Sequence, residues 1–279
     1  MCDLPIRVLS LPDSEGRRRK ISGMMERLGL AFEFRDAWSP ADIPDEMLEL
    51  LGRQKRKAGM RSGDLLPTEL ACYASHLGII SDVAEGRLPS PLLVLEDDAI
   101  LDQRSVEFAR RLHDLMRDNP AIEYVNFKNT KGPYVLDKIA VLDDACIFVP
   151  WYSSLGMVAY MVCREGARKI LRLREKGNRP LDLDMRYAIW EQDLRYWECY
   201  PSMIVHDGAQ HSTIDPENRR SGRRIDGRTK AGKLVSILKK HGVLNFVRFY
   251  PLFIRDKMRR KSRQGPKMCK HDKLRSSSS

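Results

Sequence analysis

Apolar residues fall along the chain in short blocks separated by polar turns. Ile6-Arg7-Val8-Leu9-Ser10-Leu11 reads as a first strand that ends in the polar loop Pro12 to Gly16. From Arg17 to Leu28 the apolar positions Ile21, Met24, Met25 and Leu28 recur at helical spacing, and Gly29 supplies a helix stop. Ala31 to Phe34 is a second short strand. The chain therefore opens β-α-β. It carries neither G-x-G-x-x-G nor G-x-x-x-x-G-K-[ST], which argues against a dinucleotide site and a P-loop.

Residues 40 to 66 are charged and irregular, with a short helix expected around Asp45 to Leu51. Glu69 to Glu85 reads as a helix with Leu70, Tyr73, Leu77 and Ile80 inward, opened by Pro67 and capped by Thr68 or a neighbour. After the turn signal Arg87 to Pro91, Leu92 to Leu95 is an apolar run typical of a buried strand. Ser105 to Arg117 is an amphipathic helix, and Tyr124 to Phe127 a strand. Val135 to Leu142 and Cys146 to Val149 pair as a hairpin. Leu155 to Val162 reads as one long strand, followed by helices from Arg164 to Arg174 and from Pro180 towards Trp190. Glu198 to Pro201 and Met203 to His206 close the body. The alternation of strands and helices predicts an α/β fold with a mixed, mainly parallel sheet.

Chemistry concentrates at Glu96-Asp97-Asp98, directly after the Leu92 strand. Ligands of open α/β sheets bind outside the carboxyl ends of the strands. Adjacent carboxylates repel one another, and a divalent cation with a preference for oxygen relieves that repulsion while bridging to phosphate. The competing reading is a solvated acidic turn.

Charge is unevenly spread. Of the net +11, the segment from Arg219 to Arg275 holds 20 Lys/Arg against 3 Asp/Glu, a local charge of +17 that leaves the first 218 residues at −6. This divides the chain into a body, 1–218, and a basic tail, 219–279. Thr229 to His241 reads as a basic amphipathic helix, and Val243 to Ile254 is apolar and aromatic. Such a tail suits an anionic membrane surface, or it packs on the body as a terminal helix. Nucleic acid is a further class of anionic partner. That reading leaves the acidic strand end without a role, and the tail has no recognisable reading motif, so no nucleic acid is expected. Cysteines 2, 72, 146, 163, 199 and 269 form no C-x-x-C pair, and their spacing to histidine suggests no zinc site. Free thiols favour a reducing compartment. No signal peptide is seen at the N-terminus, and no apolar run reaches the roughly 18–20 residues of a membrane span.

Several landmarks follow in order. They are Ser10-Leu11, Ser14 and Arg17-Arg18; Leu28-Gly29; Phe32 to Ala37; Thr68-Glu69-Leu70-Ala71-Cys72-Tyr73-Ala74-Ser75-His76; Leu95 to Asp98; Gly156 to Tyr160; Gly166 to Leu171; and Pro180-Leu181-Asp182. Over roughly residues 6 to 206 this resembles glycosyltransferase family 25, the lipooligosaccharide galactosyltransferases, also related to collagen galactosyltransferases. The resemblance implies a GT-A-like fold and metal-dependent, inverting transfer of a hexose, galactose first, from a UDP-sugar to a glycolipid or oligosaccharide acceptor. With the basic tail held at anionic phospholipid, this reading places the enzyme in the cytoplasm, on the inner face of the membrane.

By the same resemblance Glu96-Asp97-Asp98 is the DxD-type motif, with Glu96 and Asp98 on Mn²⁺ or Mg²⁺ and Glu96 and Asp97 towards the donor. Ser10 and Leu11 lie beside the nucleotide. Arg17 or Arg18 contacts uridine or phosphate, or else lines a solvated helix face. His76 supports the acidic loop or approaches the donor. Asp182 is the first candidate for the base that inversion requires, with Asp184 and Asp193 as alternatives, and it equally suits a helix N-cap. His206 and His211 follow a strand within possible reach of metal or diphosphate.

Overall fold

The structure is a computed structural model that describes residues 4–51, 65–128, 135–150, 153–173 and 180–207. The chain divides into two compact units, 1–227 and 228–279. The second, with the expected Thr229 helix and Val243 segment, lies outside the described residues, as does His211.

The strands are β1 (Ile6–Ser10), β2 (Glu33–Asp36), β3 (Leu92–Glu96), β4 (Ala99–Ile100), β5 (Tyr124–Asn126), β6 (Val135–Leu142), β7 (Ala145–Pro150), β8 (Ala159–Val162), β9 (Tyr196–Tyr200) and β10 (Val205–His206). The helices are α1 (Glu15–Arg27), α2 (Asp45–Leu50), α3 (Pro67–Glu85), α4 (Gln103–Asp118), α5 (Arg164–Leu171) and α6 (Leu181–Glu191). Eight strands form one sheet in the order β2-β1-β3-β8-β5-β9-β7-β6, and β4 and β10 form a two-stranded ribbon. The fold is α/β with a mixed sheet, as the alternation predicts.

The balance within the sheet differs from expectation. Among the described residues β1–β2, β1–β3 and β5–β9 run parallel, while β3–β8, β8–β5, β9–β7 and β7–β6 run antiparallel. The parallel pairings are thus a minority. The β6–β7 hairpin and β8, inserted between two strands of opposite direction, account for the difference.

Strand alternation divides the core in two. Leu93 and Leu95 of β3 point with Val8, Val125 and Met161 towards Ile21 and Met25 of α1 and Phe108 and Leu112 of α4. Leu92 and Val94 point with Tyr124, Tyr160, Val162 and Tyr196 towards α3, α5 and α6. Helix α3 is buried along nearly its whole length, Ala71 and Tyr73 to Ala84, rather than on the single face its apolar spacing suggests. Its start also differs. Leu66, not Thr68, is the N-cap, and its N–H donates to Glu69 Oε2 at 2.9 Å with Pro67 as the first helical residue.

The expected strand from Leu155 is shorter than its apolar content suggests, and only Ala159–Val162 joins the sheet. Gly156 turns the chain at φ +97. Its N–H donates to Asp182 Oδ2 at 2.9 Å and its carbonyl accepts from Asn126 Nδ2 at 3.0 Å. These backbone groups are satisfied by side chains, which removes them from the ladder.

Because β3 and β5 both run against β8, the carboxyl ends of β1, β2, β3, β5 and β9 share one edge. The loop 153–158, Ser10, Asp36 and Glu96 all lie on it. Helix α5 is tied below by a close contact. A Cβ on Gly166 would lie 2.4 Å from the Glu123 carbonyl oxygen, and the Glu123 carboxylate is held by Lys169 at 2.8 and 2.9 Å. Gly166→Ala should lower stability by about 2 kcal/mol through overpacking. Gly23→Ala, on α1 with only the Arg27 side chain nearby, should raise it by about 0.5–1 kcal/mol. Urea denaturation of the two variants distinguishes a steric requirement for glycine from simple helix propensity.

Candidate active site

A cleft of about 190 Å³ opens at that edge. Its walls come from the end of β1 (Leu9, Ser10, Leu11), the start of α1 (Ser14, Arg17), the segment after β2 (Ala37 to Pro40), α3 (Cys72, Ser75, His76) and the acidic triplet. Sequence-distant landmarks thus converge because parallel strands end together.

The three carboxylates are treated differently. Glu96 has the parity of Leu92 and Val94, so it points to the α3 face and meets His76 there, Nε2 to Oε1 at 3.2 Å. The other ring nitrogen, Nδ1, lies 3.3 Å from Tyr160 Oη. Burial works against charge on both partners and is outweighed on both. Glu96 is held below the usual carboxylate range by His76, with Lys128 and His206 adding, and His76 is held well above its ordinary value by Tyr160 first, then by Cys72 and Glu96. Asp97 turns back into the protein, accepting from Ser10 Oγ at 2.7 Å and pairing with Arg17 at 3.2 Å. It clamps the β3 turn onto the end of β1.

Asp98 is left over. Its Oδ1 is buried with no hydrogen-bond partner. Burial, with the neighbouring charges of Glu96 and Asp97, pushes its carboxyl up to about 6, against the opposing pull of Arg17 and His206. An orphaned buried carboxylate oxygen beside a second carboxylate is a donor set that fits a hard divalent cation. Glu96 and Asp98 are the residues that would hold it.

Arg17 lines the cleft, whereas Arg18 does not. Arg18 donates to the Ser10 carbonyl at 2.9 Å and the Leu11 carbonyl at 3.1 Å, pairs with Asp36, and lies over the Phe34 ring at 4.6 Å. It braces the ends of β1 and β2. Asp182 is not the cap of α6. Pro180 is, and Asp182 instead bonds across to Gly156 on the site edge. Asp184 is fully buried and accepts from Tyr73 Oη at 2.9 Å. Asp193 lies beyond the far end of α6, roughly 16 Å along the axis from Asp182. His206 pairs with Ala99 in the ribbon, within electrostatic reach of Glu96 and Asp98.

The model of glycosyltransferase family 25, described as an LPS biosynthesis protein, matches residues 3–185. The chain belongs to glycosyltransferase family 25. It is a glycosyltransferase, which takes a nucleotide-sugar donor and a glycan acceptor. A Haemophilus influenzae protein named "Putative glycosyltransferase" is 24% identical over 242 residues, covering 83% of this chain and 81% of that one. The crystal structure of a glycosyltransferase involved in the glycosylation of the major capsid of PBCV-1 aligns at 15% identity with a TM-score of 0.41, over 75% of this chain and 95% of that chain. At that score it carries no argument.

The structure also brings to the site two residues that sequence reading passed over. Trp38 follows β2 by two residues, bonds through its N–H to Ser75 Oγ at 2.9 Å, and lines the cleft. Its position at the end of a strand parallel to β1 was the available signal. Lys128, just past β5, faces Gly156 and acts on Glu96. Without a cation, folded Asp98 binds its proton more tightly than the unfolded chain does, about 6 against 3.8. Stability therefore falls as pH rises between those values and carries the full charge cost above them. Asp98→Asn should stabilise the cation-free protein by on the order of 1 kcal/mol at neutral pH, discounted for partial exposure. The gain should vanish below about pH 4, where both states are protonated. Denaturant titrations in chelator at the two pH values measure it.

Proposed function

We propose that this family 25 enzyme transfers a hexose, galactose first, from a UDP-sugar to a lipopolysaccharide-type acceptor, with Mn²⁺ or Mg²⁺ and with inversion at the anomeric carbon. The observation that carries the reading is the partnerless Asp98 Oδ1 beside Glu96 at the carboxyl end of β3. The choice of galactose and UDP rests on the likeness to the family.

A divalent cation on Glu96 and Asp98 would neutralise the diphosphate leaving group. Inversion needs the acceptor hydroxyl to attack the anomeric carbon opposite the diphosphate. Asp182 accepts the hydroxyl proton as the new C–O bond forms and the bond to the diphosphate breaks. The Gly156 N–H on Oδ2 orients that carboxylate. Arg17 and Lys128 supply positive charge towards the departing diphosphate. Trp38 offers a flat apolar wall suited to a nucleobase or sugar face. The basic tail, 219–279, holds the enzyme at anionic lipid, where a lipid-linked acceptor is found. No helix among the described residues is long and apolar enough to cross a membrane.

A panel of UDP-sugars, turned over with and without Mn²⁺, tests the chemistry. One donor should be consumed only with cation, and Asp98→Ala should abolish that turnover. Asp182→Asn should lower kcat by about 10²–10⁴ with donor KM little changed. Absence of cation-dependent turnover for every donor would sink the reading.

Co-sedimentation with vesicles tests the membrane role. The full chain should bind anionic but not neutral vesicles, and binding should weaken as salt rises. Equal binding to both would remove the tail from the account, and salt-sensitive capture of nucleic acid in its place would favour the other anionic partner.

A further inference from the structure

We propose that Cys72, His76 and Glu96 form a second, thiol-containing cation site that takes Zn²⁺ or a similarly soft divalent ion. The placement follows from two periodicities. Cys72 and His76 are four residues apart on α3, so they share a helix face. Glu96 reaches that face through strand parity. One ligand atom from each of the three side chains lies within 4.8 Å of the others. Sulfur, imidazole nitrogen and carboxylate oxygen are the donor types zinc selects.

Ligands of a tetrahedral zinc ion sit about 3.3–3.7 Å apart, as its bond lengths require. His76 Nε2 and Glu96 Oε1 are already at 3.2 Å, so the thiol alone has to close in. The ring is oriented from behind. Nδ1, at 3.3 Å from Tyr160 Oη, leaves Nε2 to ligate, which is the outer-shell arrangement of zinc-bound histidine. Access is open, because Cys72 lines the cleft and is only partly buried. Ligation releases the Cys72 thiol proton and the His76 Nε2 proton to solvent and leaves one coordination position towards the cleft.

The site shares Glu96 with the pair Glu96 and Asp98. A soft ion therefore withdraws one ligand from the hard cation and blocks transfer. This consequence rests on the proposed cation-dependent reading, whereas the site itself does not.

Cobalt(II) titration of the full chain tests the site directly. One thiolate-to-cobalt charge-transfer band per chain is expected, bleached by Zn²⁺. The band should disappear in Cys72→Ser and persist in Cys269→Ser. Tyr160→Phe should weaken Zn²⁺ binding about tenfold. Alkylation of Cys72 in the unmutated protein, followed by mass spectrometry, should slow when Zn²⁺ is added, which needs no variant to fold. No thiolate band, a band unchanged in Cys72→Ser, or alkylation indifferent to Zn²⁺ would overturn the proposal. In assays, Zn²⁺ should inhibit Mn²⁺-supported turnover of the unmutated enzyme but not of Cys72→Ser, and equal inhibition of both would overturn the coupling. If no donor is turned over at all, the transfer reading falls while the cobalt and alkylation results still decide the site.

Discussion

Three consecutive carboxylates at the end of a fully buried strand are the constraint on which the rest depends. Leu92 to Leu95 are 0% exposed and each contributes roughly 2 kcal/mol of apolar burial, so β3 is anchored strongly enough to carry unfavourable charge at its tip. The protein disposes of that charge unequally. Glu96 receives a histidine, Asp97 receives a serine and an arginine, and Asp98 Oδ1 receives nothing. A merely solvated acidic turn has no need of three dedicated partners. The unpartnered Asp98 Oδ1, beside two neighbours that are provided for, is the observation on which the proposed cation site rests.

The partners come from the most buried parts of the fold. His76 lies on α3, which is covered nearly all round, and it is backed by Tyr160, itself stacked on Tyr124 at 5.2 Å. Ser10 and Arg17 come from the end of β1 and the start of α1, and Arg18 fixes that loop by binding its carbonyls. These partners hold Glu96 and Asp97 in place. That restriction is what an electrostatic site requires, because donors that must reorganise at the moment of reaction lose most of their effect.

Much of this was legible in the sequence where a signal was local. The apolar run of β3, its preceding turn and the triplet after it pointed to the candidate site, and the landmarks around Ser10, Arg17 and His76 line the same cleft. What sequence periodicity does not carry is the bonding of side chain to backbone. Leu155 to Val162 is apolar enough for one strand, yet Asp182 and Asn126 take the Gly156 backbone out of the sheet. Asp182 looks like a cap for the same reason, since its true partner is 26 residues away. Arg17 and Arg18 are adjacent and chemically alike, and only the direction of each from α1 decides that one enters the cleft and the other braces strands. Cys72 and His76 suggested no metal spacing because the third donor lies on another element, 20 residues beyond His76.

The loop before β8 carries the last step. Glu96 donates its N–H to the Val158 carbonyl at 2.8 Å, and Asp182 accepts from the Gly156 N–H at 2.9 Å. The acidic strand end and the proposed base are therefore tied to the same short backbone segment, two residues apart. Asn126, from the carboxyl end of β5, fixes that segment through the Gly156 carbonyl. In an inverting transfer the base and the leaving group lie on opposite sides of one carbon, and small errors in their separation are costly. In the proposed transfer, a spacer of three residues, pinned by both backbone groups of Gly156 at one end and by the Val158 carbonyl at the other, would set that separation. The turn at φ +97, which glycine adopts freely, presents the Gly156 N–H to Asp182 and its carbonyl to Asn126, so the same backbone geometry serves the packing and would serve the proposed base.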